Sequence, residues 1–319
     1  MIKVEKLTKY YGDFPAVLDV SFEVGKGEIL GFLGPNGAGK TTAMRILTCY
    51  TPATSGKATV AGYDVFAQSL EVRRRIGYLP ENVPLYEEMT VDSYLRFMAE
   101  AKGHRGKAAR AAIDQAVEEC GLGEVRQRLI GHCSRGFRQR VGLGQAVLGN
   151  PEVMVLDEPT IGLDPRQIVE IRELIKNMAG RRTVILSTHI LPEVSMTCRR
   201  VLIIHRGRIV AEGTPDEMVS GLEPARQTEV VARGDPEAIA ATLSKVEGVV
   251  KVQTVHKSPP GGASEFLVDV NPAKDPRGAM AKALVQGGHT LVELRTRGLS
   301  LEDVFIRIVA GEEEKNVAA

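Results

Sequence analysis

The chain of 319 residues has no tryptophan and few other aromatic residues, which together make up 5% of the sequence. Proteins that bind single-stranded nucleic acid stack bases on aromatic side chains, and this composition offers little for that purpose. The chain also lacks an excess of positive charge, since 41 basic residues oppose 40 acidic ones. Because nucleic-acid-binding proteins are usually basic, we expect no nucleic-acid partner.

Cysteine pairs and long apolar runs are also absent from the sequence. The four cysteines are far apart and form no Cys-x-x-Cys pair, which disfavours a zinc site or a disulfide framework. No apolar run approaches the roughly 20 residues that span a bilayer, and the first residues lack the apolar core of a signal peptide. We therefore expect a soluble cytoplasmic protein that reaches a membrane only through a partner.

Hydrophobic patterning predicts a first domain over residues 1–220. Continuous apolar strands, such as 153–158 and 183–189, alternate with helices, which is typical of a mostly parallel sheet covered on both faces. The polar, alanine-rich segment at about 85–150 has helical periodicity. It is predicted to be a helical subdomain inserted into an α/β core.

A second domain is predicted after a linker at 221–227. The pattern over 228–311 is strand, helix, strand, strand, helix, strand, which indicates a small ferredoxin-like α+β domain followed by a terminal helix. Ser300 is a suitable N-cap for that last helix. Its predicted apolar face consists of Leu301, Val304, Phe305 and Ile308. Residues 312–319 are predicted to be a frayed tail.

A glycine-rich segment, GPNGAGKT at 34–41, has the pattern G-x4-G-K-S/T between a predicted strand and a predicted helix. In such a loop successive N–H groups point at phosphate oxygens, and the helix N-terminus adds positive potential. Lys40 is expected to bind the β- and γ-phosphates, and the Thr41 hydroxyl to bind Mg²⁺. The loop residues predicted to bind a nucleoside triphosphate are Gly34, Asn36, Gly37, Ala38, Gly39, Lys40, Thr41 and Thr42.

Two carboxylates follow the predicted strand in VMVLDEP, at 153–159. Asp157 is expected to hold Mg²⁺, and Glu158 to polarise the attacking water. His189 ends the next predicted strand, TVILSTH, and ligands of α/β sheets collect at such strand ends. The sequence therefore predicts a catalytic group composed of Lys40, Glu158 and His189.

The spacing of GPNGAGKT, VMVLDEP, TIGLDP and STH resembles the ATP-binding subunit of ABC transporters over about residues 1–215. The resemblance implies a P-loop nucleotide-binding domain that hydrolyses ATP with Mg²⁺. The altered motifs and the C-terminal extension resemble those of type-two exporters, such as the gliding-motility, multidrug and copper-enzyme-maturation exporters, whose ATPase is a separate chain. That branch keeps a segment similar to SLEDVF at 300–305.

The family signature, usually LSGGQ, is replaced by CSRGF at 133–137. Ser134 and Gly136 match the family, whereas the other three residues depart from it. The resemblance implies that Ser134, Arg135 and Gly136 face the γ-phosphate of ATP bound to a second copy of the chain. It also implies that Asp164 in the IGLDP loop contacts that partner. We expect a head-to-tail dimer.

Several charged residues near these motifs leave alternatives open. Glu81, in GYLPE, stands where the family has a glutamine that contacts Mg²⁺ and water. It is either an ATP-site residue and metal ligand or a solvated loop acid. Arg135 could add positive charge near the phosphate, and Arg138 and Arg140 are predicted to form a solvated helix face.

The resemblance also implies partners in the membrane. Multi-span permease subunits would hold the chain at the cytoplasmic face of the cell membrane, with a permease helix in a groove formed by the helical subdomain and residues 82–90. Two alternatives are an ABC ATPase that acts on ribosomes or nucleic acid, and an ATP-binding sensor with little turnover. The altered signature and Glu81 are the reasons to consider the sensor.

The adenine contact can be tested by comparing two neighbouring aromatic residues. Tyr11 matches the family position that stacks on adenine, and Tyr10 would point to the opposite face of a strand. Loss of an aromatic–base stack costs roughly 1–3 kcal/mol. Titration with ATP should therefore show weaker binding by Tyr11→Ala and little change for Tyr10→Ala. The reverse result would assign the contact to Tyr10.

Overall fold

The computed structural model describes residues 1–221, 226–259, 262–271, 275–297 and Phe305. These residues belong to two units, one of which comprises Met1–Pro215 while the other begins at Asp216. The strands of the first unit are β1 (Ile2–Tyr11), β2 (Phe14–Val24), β3 (Ile29–Leu33), β4 (Ser55–Val60), β5 (Tyr63–Asp64), β6 (Ile76–Leu79), β7 (Val153–Asp157), β8 (Thr183–Thr188), β9 (Arg200–His205) and β10 (Arg208–Gly213). Its helices are α1 (Lys40–Leu47), α2 (Ser69–Arg75), α3 (Val91–Ala101), α4 (Gly106–Glu119), α5 (Arg135–Val147), α6 (Pro165–Lys176) and α7 (Leu191–Thr197), and α8 (Pro215–Gly221) begins at the boundary between the units.

A six-stranded sheet with the order β10-β9-β3-β8-β7-β6 forms the centre of the first unit. Its neighbours pair in parallel, except that β10 is antiparallel to β9. All residues of β3, β7 and β8 are buried, as the apolar runs predict. Because the strands are parallel, the segments that follow β3, β6, β7 and β8 all emerge at one edge of the sheet.

A second, antiparallel sheet with the order β2-β1-β4-β5 was not among the predicted elements. Apolar residues of β1 and β2 belong to the same core cluster as Met44 of α1 and Phe32 of β3. The hairpin between β1 and β2 carries Tyr11 opposite Phe14. This sheet therefore supplies two aromatic rings beside the start of α1.

The helical subdomain consists of α3, α4 and α5, within the range predicted for it. Of the predicted apolar face of α3, Val91, Tyr94 and Leu95 are buried and Met98 is half-buried. The Tyr94 hydroxyl donates to Gln145 Oε1 at 3.1 Å, which joins α3 to α5. In the described ranges, no helix has both the length and the apolar character needed to cross a bilayer.

A buried arginine connects this subdomain with the central sheet. Arg182, just before β8, is 4% exposed and forms an ion pair with Glu119, the last residue of α4. Its Nη2 also donates to Asn150 Oδ1 at 3.0 Å, in the loop between α5 and β7. One guanidinium thus fixes the positions of three segments.

The second unit contains β11 (Arg226–Arg233), α9 (Pro236–Ser244), β12 (Val249–His256), β13 (Ala263–Val270), α10 (Arg277–Gln286) and β14 (Thr290–Arg297). The described strands form an antiparallel sheet with the order β12-β13-β11-β14, and buried residues of both helices belong to its core. Along the chain the elements follow the predicted order strand, helix, strand, strand, helix, strand, which is that of a ferredoxin-like domain.

The linker and the terminal helix differ in how far the structure describes them. Arg226 and Gln227 were assigned to the linker but belong to β11, because both pair with β13. Of the predicted terminal helix, Ser300, Leu301, Val304 and Ile308 lie outside the described residues, as does the tail at 312–319.

Removing the central guanidinium should destabilise the first unit. Arg182→Ala would leave the largely buried Glu119 carboxylate, whose side chain is 13% exposed, without its partner, which costs about 3–5 kcal/mol for a pair of this kind. Urea unfolding should show this loss, whereas the exposed neighbour Arg181→Ala should change stability by less than about 0.5 kcal/mol. Equal stability of the two variants would contradict the role assigned to Arg182.

Candidate functional site

The glycine-rich loop joins β3 to α1, and its backbone tolerates no side chain at two positions. A Cβ atom on Gly34 would lie 2.4 Å from the carbonyl oxygen of Ile204, and one on Gly39 would lie 2.4 Å from that of Ala16. Gly39 also has a φ of 108°, which favours glycine. Packing against β9 and the start of β2 therefore fixes the loop immediately before the N-terminus of α1.

This loop forms the floor of a cavity of about 470 Å³. The described residues that line the cavity are Tyr11, Phe14, Ala16, Asn36, Gly37, Ala38, Gly39, Lys40, Thr41, Thr42, Glu81, Glu158 and Ile161. The structure therefore brings together most of the residues predicted to bind the nucleotide. Gly34, at the start of the loop, is buried and is not among the described residues that line the cavity.

The ammonium group of Lys40 is buried at this floor. Its Nζ donates to the carbonyl oxygens of Gly34, at 2.7 Å, and Pro35, at 3.2 Å. It also lies 3.4 Å from Glu158 Oε1. The loop thus holds one positive charge at the cavity floor, beside the N-terminus of α1, an arrangement that suits phosphate oxygens.

The carboxylate of Glu158 lies between Lys40 and His189. Glu158 Oε2 is 2.9 Å from His189 Nδ1, and the carboxylate is almost completely buried. Glu158 has a φ of 49°, an uncommon value for this residue type, and its N–H donates to Ser187 O at 3.0 Å. Strand β8 therefore holds the residue in a conformation that places its carboxylate against the cavity, where it could accept a proton.

Asp157, the last residue of β7, is fully buried next to the cavity floor. Its Oδ1 accepts a hydrogen bond from Ser187 Oγ at 2.6 Å, while its buried Oδ2 has no hydrogen-bond partner among the described residues. Burial raises the pKa of Asp157, although the hydroxyls of Ser187 and Thr41 oppose that effect. A desolvated carboxylate with one unsatisfied oxygen beside a threonine hydroxyl suits a hard cation such as Mg²⁺.

The two candidate adenine contacts differ in position. Tyr11 lines the cavity, whereas Tyr10 does not. The backbone N–H of Tyr10 donates to Thr54 Oγ1, on the side of β1 that faces the loop before β4. Phe14 stands opposite Tyr11 in the hairpin and also lines the cavity, although its role was not predicted. The sequence could have indicated this role, because only two turn residues, at positions 12 and 13, separate Phe14 from Tyr11.

Glu81 follows β6 and is exposed at the cavity wall, so either of its predicted roles is sterically possible. Asp164 is also exposed, and its Oδ1 accepts a hydrogen bond from Gln167 N at 2.9 Å as the N-cap of α6. Both predicted functions stay predictions.

The signature residues lie at the N-terminus of α5. Ser134 is the exposed N-cap, and its Oγ accepts a hydrogen bond from Phe137 N at 3.3 Å. A Cβ on Gly136 would lie 2.6 Å from the side chain of Gln167 on α6, so only glycine fits there without displacing that side chain. Neither residue is among the described ones that line the cavity of their own chain.

Arg135 points back toward the loop that follows β7. Its Nη2 donates to Ile161 O at 3.1 Å, and its guanidinium covers Gly162, where an added Cβ would lie 2.3 Å from Arg135 Cζ. Ile161 itself lines the cavity. Arg135 therefore links the signature helix to the segment that carries Glu158.

The prediction that Arg138 and Arg140 form a solvated helix face was wrong. Arg138 donates to the carbonyl oxygens of Gly131 and Cys133 and pairs with Glu87 at 2.9 Å. Arg140 is 18% exposed and forms an ion pair with a glutamate of α6, Glu170. Both guanidinium groups satisfy polar groups on neighbouring segments and so fix the position of α5.

Comparison with known proteins places these motifs in context. The sequence model of the family described as ABC transporter matches residues 17–161. The daunorubicin resistance ATP-binding protein DrrA2 of Streptomyces coeruleorubidus is 34% identical, over 99% of this chain and 97% of its own length. The bacitracin transport ATP-binding protein BcrA of Bacillus licheniformis is 33% identical, over 98% of each chain.

Solved structures match about two thirds of the chain. A structure described as the ATP-binding subunit of an ABC transporter is 31% identical, with a TM-score of 0.63, and covers 69% of this chain and 92% of its own. The dimeric structure of the bacterial ABC transporter cassette MJ0796 is 24% identical, with a TM-score of 0.61, over 67% of this chain and 98% of its own. At that identity the second comparison supports the fold alone.

Because burial desolvates the carboxylate of Asp157, we expect this residue to lower the free energy of unfolding at neutral pH. Because the pKa of Asp157 is raised in the folded state, its carboxyl is protonated in both the folded and the unfolded chain below the ordinary pKa of about 3.9. The loss of stability therefore develops as the pH rises through the folded-state pKa. Without nucleotide and with chelator, Asp157→Asn should therefore melt at a higher temperature than the unmodified chain at pH 7. Each kcal/mol recovered adds about 2–4 °C, and the difference should shrink toward pH 4. A less stable variant at pH 7 would contradict this account.

Proposed function

The chain belongs to the ABC transporter family as one of its ATP-binding ATPase subunits, and we propose that it powers an exporter whose membrane-spanning part is a separate chain. Two full-length relatives are named for daunorubicin resistance and bacitracin transport, which supports export of a small molecule. The observation that carries the catalytic proposal is the position of Glu158, which lines the nucleotide cavity and contacts Lys40 at 3.4 Å and His189 at 2.9 Å. His189 itself is not among the described residues that line the cavity.

In this proposal the phosphates of ATP bind the amides of the glycine-rich loop and the ammonium of Lys40. Water attacks the γ-phosphorus, the bond to the β–γ bridging oxygen breaks, and the Glu158 carboxylate accepts a proton from the water. His189 orients Glu158 through the 2.9 Å contact with Oε2. The rings of Tyr11 and Phe14 hold the adenine at the other end of the cavity.

The same cavity has residues that fit Mg²⁺. Thr41 and Asp157 would hold the ion, and the unsatisfied Oδ2 of Asp157 supports that assignment. Glu81, at the cavity wall, is the third candidate ligand. When bound, Mg²⁺ neutralises negative charge on the β- and γ-phosphates.

We propose that two copies pair head to tail. Ser134, Arg135 and Gly136 lie at a helix N-terminus, which attracts anions, yet they do not line the cavity of their own chain. In a two-fold dimer they would close the partner's cavity instead, with Asp164 at the same interface. ATP binding would then favour the closed pair, and hydrolysis would allow it to open.

A second concave surface supports a membrane partner. It has a volume of about 340 Å³ and is lined by Arg45, Tyr50, Tyr78, Pro80, Asn82, Pro84 and Gln145. Beside it, Tyr86 contacts the rings of Tyr94 and Phe97 edge-on. An exposed aromatic surface next to Glu81 suits a cytoplasmic helix of a permease, which would place the chain at the cytoplasmic face of the cell membrane.

Affinity capture tests the transport function directly. The tagged chain, added to detergent extract from the membranes of its own organism, should retain a multi-span protein. Tyr50→Ala should weaken this retention, because Tyr50 is 75% exposed in the proposed groove. The matched control is Phe66→Ala, which removes a ring that is 79% exposed outside the groove.

Retention of ribosomes instead of a membrane protein would contradict the proposal. Equal retention by the Tyr50 and Phe66 variants would show that the groove is not the contact site, even if the transport function were correct.

A further inference from the structure

A buried carboxylate lies behind the two loops that carry Glu158 and His189. Glu193, in the first turn of α7, is 4% exposed. Its Oε2 accepts hydrogen bonds from Thr160 Oγ1 at 2.7 Å and from Thr188 Oγ1 at 3.2 Å. One oxygen atom therefore joins the segment that follows β7 to the last residue of β8.

The two threonines are close in sequence to the catalytic candidates. Thr160 lies two residues after Glu158, and Thr188 lies directly before His189. Both threonines are buried, and Thr188 Oγ1 also accepts a hydrogen bond from Ile190 N at 3.0 Å. A shift of Glu193 would therefore displace both loops relative to each other.

The hydrogen bonding of Glu193 argues against a role in packing alone. Glu193 Oε1 is buried and has no hydrogen-bond partner in the described part of the chain. A half-satisfied buried carboxylate is costly on its own. At this position the carboxylate supplies one acceptor for two buried hydroxyl groups, and an apolar side chain would leave both without it.

We propose that Glu193 is a positioning residue for ATP hydrolysis. Through Thr160 and Thr188 it fixes the loops so that Glu158 Oε2 and His189 Nδ1 stay 2.9 Å apart. This inference rests on the proposed roles of Glu158 and His189. Glu193 is not among the described residues that line the nucleotide cavity, so it should affect the rate of hydrolysis and not ATP affinity.

Paired substitutions separate positioning from packing. Glu193→Ala should lower kcat by roughly 10–10²-fold, because small displacements of catalytic groups have effects of this size, with KM for ATP within about two-fold. Glu193→Gln keeps a carbonyl oxygen that can accept both hydroxyls, and kcat should stay within about three-fold. Thr160→Val should lower kcat several-fold, and Thr160→Ser should restore it.

Matched controls report the effect of losing a polar contact far from the catalytic loops. Asp92 is another largely buried carboxylate with side-chain partners, but it lies in the helical subdomain and binds Arg126 and Arg96. Thr48 is a buried threonine that directly follows α1, and its hydroxyl donates to the carbonyl oxygens of Met44 and Arg45 in that helix. Asp92→Ala and Thr48→Val should lower the melting temperature while kcat stays within about two-fold.

A double mutant distinguishes failure of this inference from failure of the catalytic assignment. Glu158→Gln alone should bind ATP and lower hydrolysis by roughly 10²–10⁴-fold. Adding Glu193→Ala should then reduce the remaining rate by much less than it does in the unmodified chain, because both changes act through Glu158.

Three results would overturn the positioning role: unchanged kcat in Glu193→Ala, an equal loss in Glu193→Ala and Glu193→Gln, or fully multiplicative effects in the double mutant. Normal hydrolysis by Glu158→Gln would instead overturn the catalytic assignment.

Discussion

The ammonium of Lys40 lies against two loop carbonyls and the carboxylate of Glu158, and this contact depends on the order of the central strands. Strand β3 delivers the glycine-rich loop, while β7 and β8 end in Asp157 and Thr188. Because these strands are parallel neighbours or near neighbours, their final residues meet at one edge. The site therefore combines groups from segments more than 100 residues apart in the sequence, and each of these groups lies at or next to the end of a central strand.

Contacts with neighbouring segments also hold the signature helix in place. Arg138 and Arg140 fix α5 to neighbouring segments, and Arg135 ties its first turn to Ile161. Ser134 is thereby presented outward at a helix N-terminus, away from the cavity of its own chain. A nucleotide site that is well formed on one side and exposed on the other is consistent with completion by a second copy.

The sequence predicts those parts of the site that are encoded by short contiguous segments. The glycine-rich loop and the carboxylate pair after β7 are short contiguous patterns whose chemistry fixes their position, and the apolar strands around them indicate the parallel sheet. The three arginines of α5 could not be assigned in this way. Arg138 and Arg140 look like a solvated face because their partners, such as Glu87 and Glu170, are 30 or more residues away in the sequence. Glu193 was missed in part for the same reason, since Thr160 lies 33 residues away in the sequence.

The central claim is that each ATP site needs two chains, and a mixing experiment measures this most directly. Lys40→Ala removes the phosphate cation, and Ser134→Glu places a negative charge where the partner's phosphate would lie. Each variant alone should be nearly inactive. A one-to-one mixture should recover up to about a quarter of normal ATPase activity, since half of the dimers would be mixed and each of these would have one intact site. Activity that stays at the average of the two variants at every mixing ratio would contradict a shared site.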